Sequence, residues 1–94
     1  MNTLIEAVRA VILAAAVSHG VDASLMDRLA KCESGYNRFA ANGPYVGLYQ
    51  LGTAKRRQFL AEGYVDVYDP AQQANFVAEL LAAGETSAWA GCTS

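Results

Sequence analysis

Glycine divides this chain into helix-length pieces. Gly20, Gly35, Gly63 and Gly84 each follow a stretch whose apolar residues recur at three- and four-residue steps, a pattern that reads as short helices with stops between them. The first helix is expected from about Thr3 to Ser18, with Leu4, Ala7, Val8, Val11, Ala14 and Ala15 as its apolar stripe, closed by His19 and Gly20. His19 is expected to cap this helix or face solvent. Asp22 suits the N-cap of a second helix that places Leu25, Met26, Leu29, Ala30, Cys32 and Glu33 on one broad face and ends at Gly35. The segment Asn42 to Gly52, rich in glycine and aromatics, predicts a turn followed by short extended structure. Thr53 is expected to cap a third helix, Ala54 to Glu62, stopped by Gly63. Asp69 and Pro70 open a fourth, with Gln72 at the capping-box position and Ala74, Val77, Ala78 and Leu81 as its core stripe.

Ninety-four residues allow one modest core, so the chain is expected to form a single domain over residues 1–94. A hydrophobic fraction of 53% with 17% charged residues argues against disorder. The net charge of −2, with Lys55, Arg56 and Arg57 as the only basic cluster, makes duplex nucleic acid a poor partner. The apolar run Ala10 to Val17 is too short to span a bilayer and makes a weak signal peptide, so no membrane insertion is expected. No metal-ligand spacing or cofactor motif is visible, and none is expected to be required.

Cys32 and Cys92 lie far apart, without the close spacing of a zinc or thiol-redox motif. A disulfide is the simplest reading; two free buried thiols in a cytosolic protein are the alternative. A bond closing so long a loop stabilises a small core by roughly 4 kcal/mol on loop-closure entropy, and it favours an extracytoplasmic setting. Trp89, three residues before Cys92, is expected to pack beside it.

Glu33 is the residue with the most chemical promise. It falls on an apolar face and in the last turn of the second helix, near the negative end of the helix dipole, and both surroundings oppose ionisation. An acid kept neutral near pH 7 is what cleavage of a glycosidic bond requires. On spacing alone, a solvent-facing helix-end glutamate is the favoured reading, because such residues are common.

Cys32-Glu33-Ser34-Gly35-Tyr36-Asn37 followed by Gly47-Leu48-Tyr49-Gln50 resembles the Glu-Ser-Gly-(Tyr/Phe)-Asn and Gly-Leu-(Met/Trp/Tyr)-Gln pair of the lysozyme-like soluble lytic transglycosylases. His19 to Asp22 precedes the motif as the family's helical hairpin does, and Tyr68-Asp69-Pro70 with Asn75 is similar to its Asp-Pro-x-x-x-x-Asn segment. The closing Ser-Ala-Trp-x-x-Cys, with a cysteine just before the glutamate, resembles the short secreted members found in actinobacteria and their phages. The likeness covers nearly the whole chain. It implies a mainly α, lysozyme-like domain of four to five short helices with a glycine-rich extended loop and a cleft.

The same resemblance implies that Glu33 protonates the oxygen between N-acetylmuramic acid and N-acetylglucosamine in peptidoglycan glycan strands, with Ser34 helping to orient its carboxyl. Tyr49 and Gln50 would line the sugar cleft, and Gly47 would let substrate approach the backbone closely, although packing explains each of them as well. Tyr45 and Tyr36 are weaker cleft candidates, and Asn75 would touch sugar or support the site through a hydrogen bond. A lytic transglycosylase needs one carboxyl group, whereas a hydrolase needs a second group. Glu62, Asp66 and Asp69 are the other acids nearby; Asp69 is accounted for as a cap, so the transglycosylase outcome is favoured over a goose-type muramidase. A non-catalytic peptidoglycan-binding or virion structural module is the remaining alternative. The expected setting is extracytoplasmic (secreted, cell wall or virion), as a monomer. Two departures bear on the cleft floor: Asn37-Arg38 stands where the family has Asn-Pro, and Gly52-Thr53-Ala54-Lys55-Arg56 replaces a Thr-Pro-Ser-Thr-like segment.

Overall fold

A computed structural model describes residues 3–93. Five α-helices and a two-residue-per-strand hairpin make a mainly α fold, in the order α1 (Thr3–His19), α2 (Ala23–Ser34), β1 (Ala41–Asn42), β2 (Tyr45–Val46), α3 (Thr53–Ala61), α4 (Pro70–Ala82) and α5 (Ala90–Thr93), with a 3-10 turn at Ser87–Trp89 before α5.

The helix stops work as local chemistry dictates. Gly20 and Gly35 take left-handed conformations, φ 67° and 61°, that a residue with a Cβ adopts only at a cost. Asp22 Oδ1 accepts from the Ser24 and Leu25 amides at the start of α2, and Asp69 Oδ2 accepts from the Gln72 amide at the start of α4. Two expected caps differ. Thr53 is the first residue of α3 rather than its cap; Gly52 takes that place with no side chain to offer. Gln72 does not complete a capping box, because its Oε1 accepts from the amides of Val65 and Asp66 and so ties the preceding loop down instead.

The long helix α1 packs against both α4 and α2, and its buried line is Val8, Ile12, Ala15 and Ala16. Leu4, Ala7 and Ala14, expected inside, are exposed. In a helix this rich in alanine and valine nearly every face is apolar, so the partners choose which one is covered. From α4 come Ala74, Phe76, Val77, Ala78 and Leu80, with Leu81 only partly buried. Phe76 meets Phe59 of α3 and Tyr64 edge-on, at centroid distances of 5.4 and 6.0 Å. Full burial of a phenylalanine such as Phe59 contributes about 1.5–3 kcal/mol. His19, expected to cap or face solvent, is half-buried, with Nε2 3.0 Å from Asn75 Oδ1, which links the end of α1 to α4.

The hairpin pairs Ala41 with Val46 and Asn42 with Tyr45 around the Gly43-Pro44 turn, and a bridge from Val46 to Leu51 folds the next loop back upon it. The Cys32–Cys92 disulfide is formed and holds α5 against α2. Among the described residues, no helix is long and apolar enough to cross a membrane.

Candidate functional site

Glu33 owes its position to the way α2 ends. The Gly35 amide turns back to the carbonyls of Ala30 and Lys31, closing the helix and leaving Glu33 in its last turn, half-buried. Burial raises the Glu33 carboxyl above its ordinary value, because an ion loses more by leaving water than a neutral acid does. The neighbouring disulfide adds a contact: Cys92 Sγ lies 3.0 Å from Glu33 Oε1. A half-cystine sulfur carries no proton, so this contact can be a hydrogen bond only with sulfur accepting from a protonated carboxyl.

The carboxyl borders a pocket of about 550 Å³ lined also by Cys32, Asn42, Gly43, Tyr45, Gln50 and Ala88. Its walls thus come from the end of α2, the hairpin, the loop after it and the C-terminal 3-10 turn. A second hollow of about 450 Å³ shares Tyr45, Gln50 and Ala88 and continues past Thr53, Lys55 and Ser87. The two adjoin along these shared residues as one groove, and the Tyr45 ring lies against Gly52, where an added Cβ would come within 3.2 Å of it. Among the described residues, Glu33 is the only carboxylate lining either hollow. Asp69 is occupied as the α4 cap, Asp66 Oδ1 accepts from the Tyr68 amide, and Glu62 accepts from Gln58 Nε2.

Of the residues expected in the site, Tyr45 and Gln50 join Glu33 at the groove. Tyr45 is half exposed, so its ring is open to solvent at the groove. Gln50 adopts φ 53° and spends its Nε2 on the carbonyls of Ala40 and Gly47, which fixes its orientation at the wall. The others have different tasks. Ser34 does not orient the Glu33 carboxyl; its Oγ donates to Leu48 O at 2.7 Å, with Ala30 O at 3.2 Å, and so pins the end of α2 to the loop. Tyr49 does not line the cleft. It is fully buried, its hydroxyl donates to Met26 O, and burial pushes that phenol far above its usual range.

Gly47 is buried too, and it is protein rather than substrate that approaches it: at φ 90°, an added Cβ would overlap the Gln73 amide group. Asn75 lies outside the groove lining, with Nδ2 on Ala71 O and Oδ1 on His19. Tyr36 likewise turns away, its hydroxyl donating to Asp27, which also pairs with Arg9.

Two further residues shape the site: Gln73, not singled out from the sequence, and Trp89, expected there only to pack beside the disulfide. Gln73, fully buried, accepts from the Tyr49 amide and donates to Val67 O at 2.7 Å, clamping the loop that carries Gln50. Its signal was a polar side chain on the stripe shared with Phe76, Val77 and Leu80. Trp89 Nε1 donates to Tyr49 O, so the C-terminal segment anchors the same peptide from the other side. Among the described residues no group of three His, Cys, Asp or Glu side chains could hold a metal ion. No protein-family model matches the chain, and neither does a curated protein or a solved structure.

Proposed function

We propose that this chain cleaves the bond between N-acetylmuramic acid and N-acetylglucosamine in peptidoglycan as a lytic transglycosylase, with Glu33 as its single acid and base. The observation that carries the reading is a lone carboxyl, biased toward its neutral form by burial, at the wall of an open groove that holds no second carboxylate among the described residues. Two adjoining hollows that share a half-exposed tyrosine suit a strand of linked rings better than a single small molecule. In the proposed reaction neutral Glu33 gives its proton to the bridging oxygen, and the N-acetylglucosamine side departs as an alcohol. The carboxylate left behind takes the proton of the muramic acid C6 hydroxyl as that oxygen closes on C1, which yields a 1,6-anhydro ring and restores the acid. A hydrolase would ordinarily draw on a second group to place water, and among the described residues no second carboxylate lines the groove. The same reading implies an extracytoplasmic setting, with which the disulfide is consistent.

Mass analysis of purified peptidoglycan after digestion tests it. Fragments ending in anhydro sugar, lighter by one water than reducing ends, are expected from the native chain, with a loss of at least a hundredfold in Glu33→Gln while binding to insoluble peptidoglycan persists. Reducing ends would instead identify a muramidase. Retained binding without any cleavage by the native chain would identify a non-catalytic module.

A further inference from the structure

We infer that the Cys92 half of the disulfide is a positioning residue for Glu33, its sulfur accepting the hydrogen bond of the neutral carboxylic acid and so holding the acid at the groove wall ready to donate. The inference rests on the proposed function for its catalytic meaning, but the contact itself stands on geometry alone. Cys92 is brought to Glu33 from 59 residues away, and its Sγ lies 3.0 Å from Oε1, within reach of an O–H···S bond. The bond to Cys32 removes the thiol proton, so sulfur can only accept, and only the neutral acid can give it anything. Sulfur is a weak acceptor, so a glycosidic oxygen entering the groove takes over that proton at little cost.

The surroundings leave this contact uncompensated by charge. On α2 the other ionic groups are Asp27, engaged with Arg9 of α1 and with Tyr36, and the exposed Arg28 and Lys31. The described part of α5 and the 3-10 turn contribute no charged side chain, the hairpin and following loop contribute only the phenols of Tyr45 and of buried Tyr49, whose hydroxyl donates to Met26 O, and Lys55 of α3, at the adjoining hollow, is paired with Glu85. Burial is the one resolved cause that lifts Glu33, and no cation opposes it.

Breaking the disulfide reverses the polarity of the partner. A free thiol at position 92 donates to a carboxylate, whereas the half-cystine accepts from an acid, so the preferred state of Glu33 should switch with it. Cys32→Ser leaves that thiol in place, and the double variant Cys32→Ala with Cys92→Ala removes sulfur altogether. The assay is the titration of the Glu33 carboxyl carbon by NMR in the native, Cys32→Ser and double-alanine proteins, with Trp89 fluorescence reporting the fold. The midpoint should fall in both variants, by about 0.5–1 pH unit, a three- to tenfold gain in acidity, and further in Cys32→Ser than in the double variant. An unchanged or raised midpoint in folded variants would overturn the inference. If the variants unfold, the native protein decides: the Cys92 Cβ resonance should titrate with the Glu33 midpoint, and to a larger extent than that of Cys32, and equal or absent responses would count against the contact. Neither readout needs turnover. A native chain that fails to cut peptidoglycan but shows the shift sinks the enzymatic reading alone; cleavage that depends on Glu33 with no shift sinks the sulfur contact alone.

Discussion

Replacing Gln73 with leucine isolates the clamp that holds the groove's loop. Leucine fills much of the same space in a fully buried site, so the loss is mainly polar: the Tyr49 amide loses its acceptor and the Val67 carbonyl loses its donor. Each group left unpaired away from water costs about 1–3 kcal/mol, and Val67 is only partly buried, so the sum falls at about 2–5 kcal/mol. A chain of this length has roughly 5–14 kcal/mol in all. At roughly 4–8 °C per kcal/mol for a small domain, the variant should melt at least about 8 °C below the native chain, read by circular dichroism at 222 nm. Gly47→Ala should do comparable harm, because its Cβ meets that same amide group and its φ of 90° disfavours any side chain. Combining the two should fall short of the sum of the single losses, since both break one contact. A Gln73→Leu protein melting within about 3 °C of the native chain would refute the clamp.

Trp89→Phe keeps an aromatic ring in the core but removes the Nε1 donor from Tyr49 O, and an orphaned carbonyl of this kind should cost about 1–3 kcal/mol, seen as a lowered midpoint in urea with an unchanged slope. Glu33 should make stability depend on pH in the sense opposite to a salt-bridged carboxylate. With its folded value raised, the folded chain holds the proton more tightly, so the associated stability is complete below the ordinary carboxylate range and is lost as pH rises through the raised value. Glu33→Gln should therefore melt higher than the native chain at pH 8 and level with it near pH 4, by an amount on the order of 1–3 °C because solvent reaches the half-buried group. Equal melting temperatures at both pH values would show that the carboxyl is not perturbed.

The features legible in the sequence are those that local chemistry decides. Gly35 ends α2 because a left-handed residue is needed there, and Asp69-Pro70 starts α4 because a side-chain acceptor and a preset φ suit a helix entrance. The disulfide followed from the want of any closer partner for either cysteine. What stayed hidden is non-local. Which face of α1 is covered depends on α2 and α4, so Ile12 and Ala16 are inside while Leu4 and Ala14 are not. The cleft roles expected of Ser34, Tyr49 and Gly47 failed for one reason: each lies beside the groove in sequence, but its polar or steric demand is met by another part of the protein, namely Leu48 O, Met26 O and the Gln73 side chain. Proximity to a motif does not fix direction.

Those three residues acquire a common purpose once the peptide at position 49 is considered as a joint. Its amide is held by α4 through Gln73, its carbonyl by the C-terminal turn through Trp89, and its side chain by α2 through Met26 O. Gln50, the next residue, is thereby delivered to the same groove as Glu33, whose helix is tied to the same loop by Ser34 and to the same C-terminal segment by the disulfide. Acid and wall are therefore fixed relative to each other by the same set of long-range bonds, none of which exists until α2, α4 and the tail have met. A small domain with shallow walls has few atoms to spare for rigidity, and spending a buried glutamine and a tryptophan on one peptide is an efficient way to supply it. On the proposed function, preorganisation of that kind matters most because, among the described residues, the groove offers a single carboxyl group to place the proton.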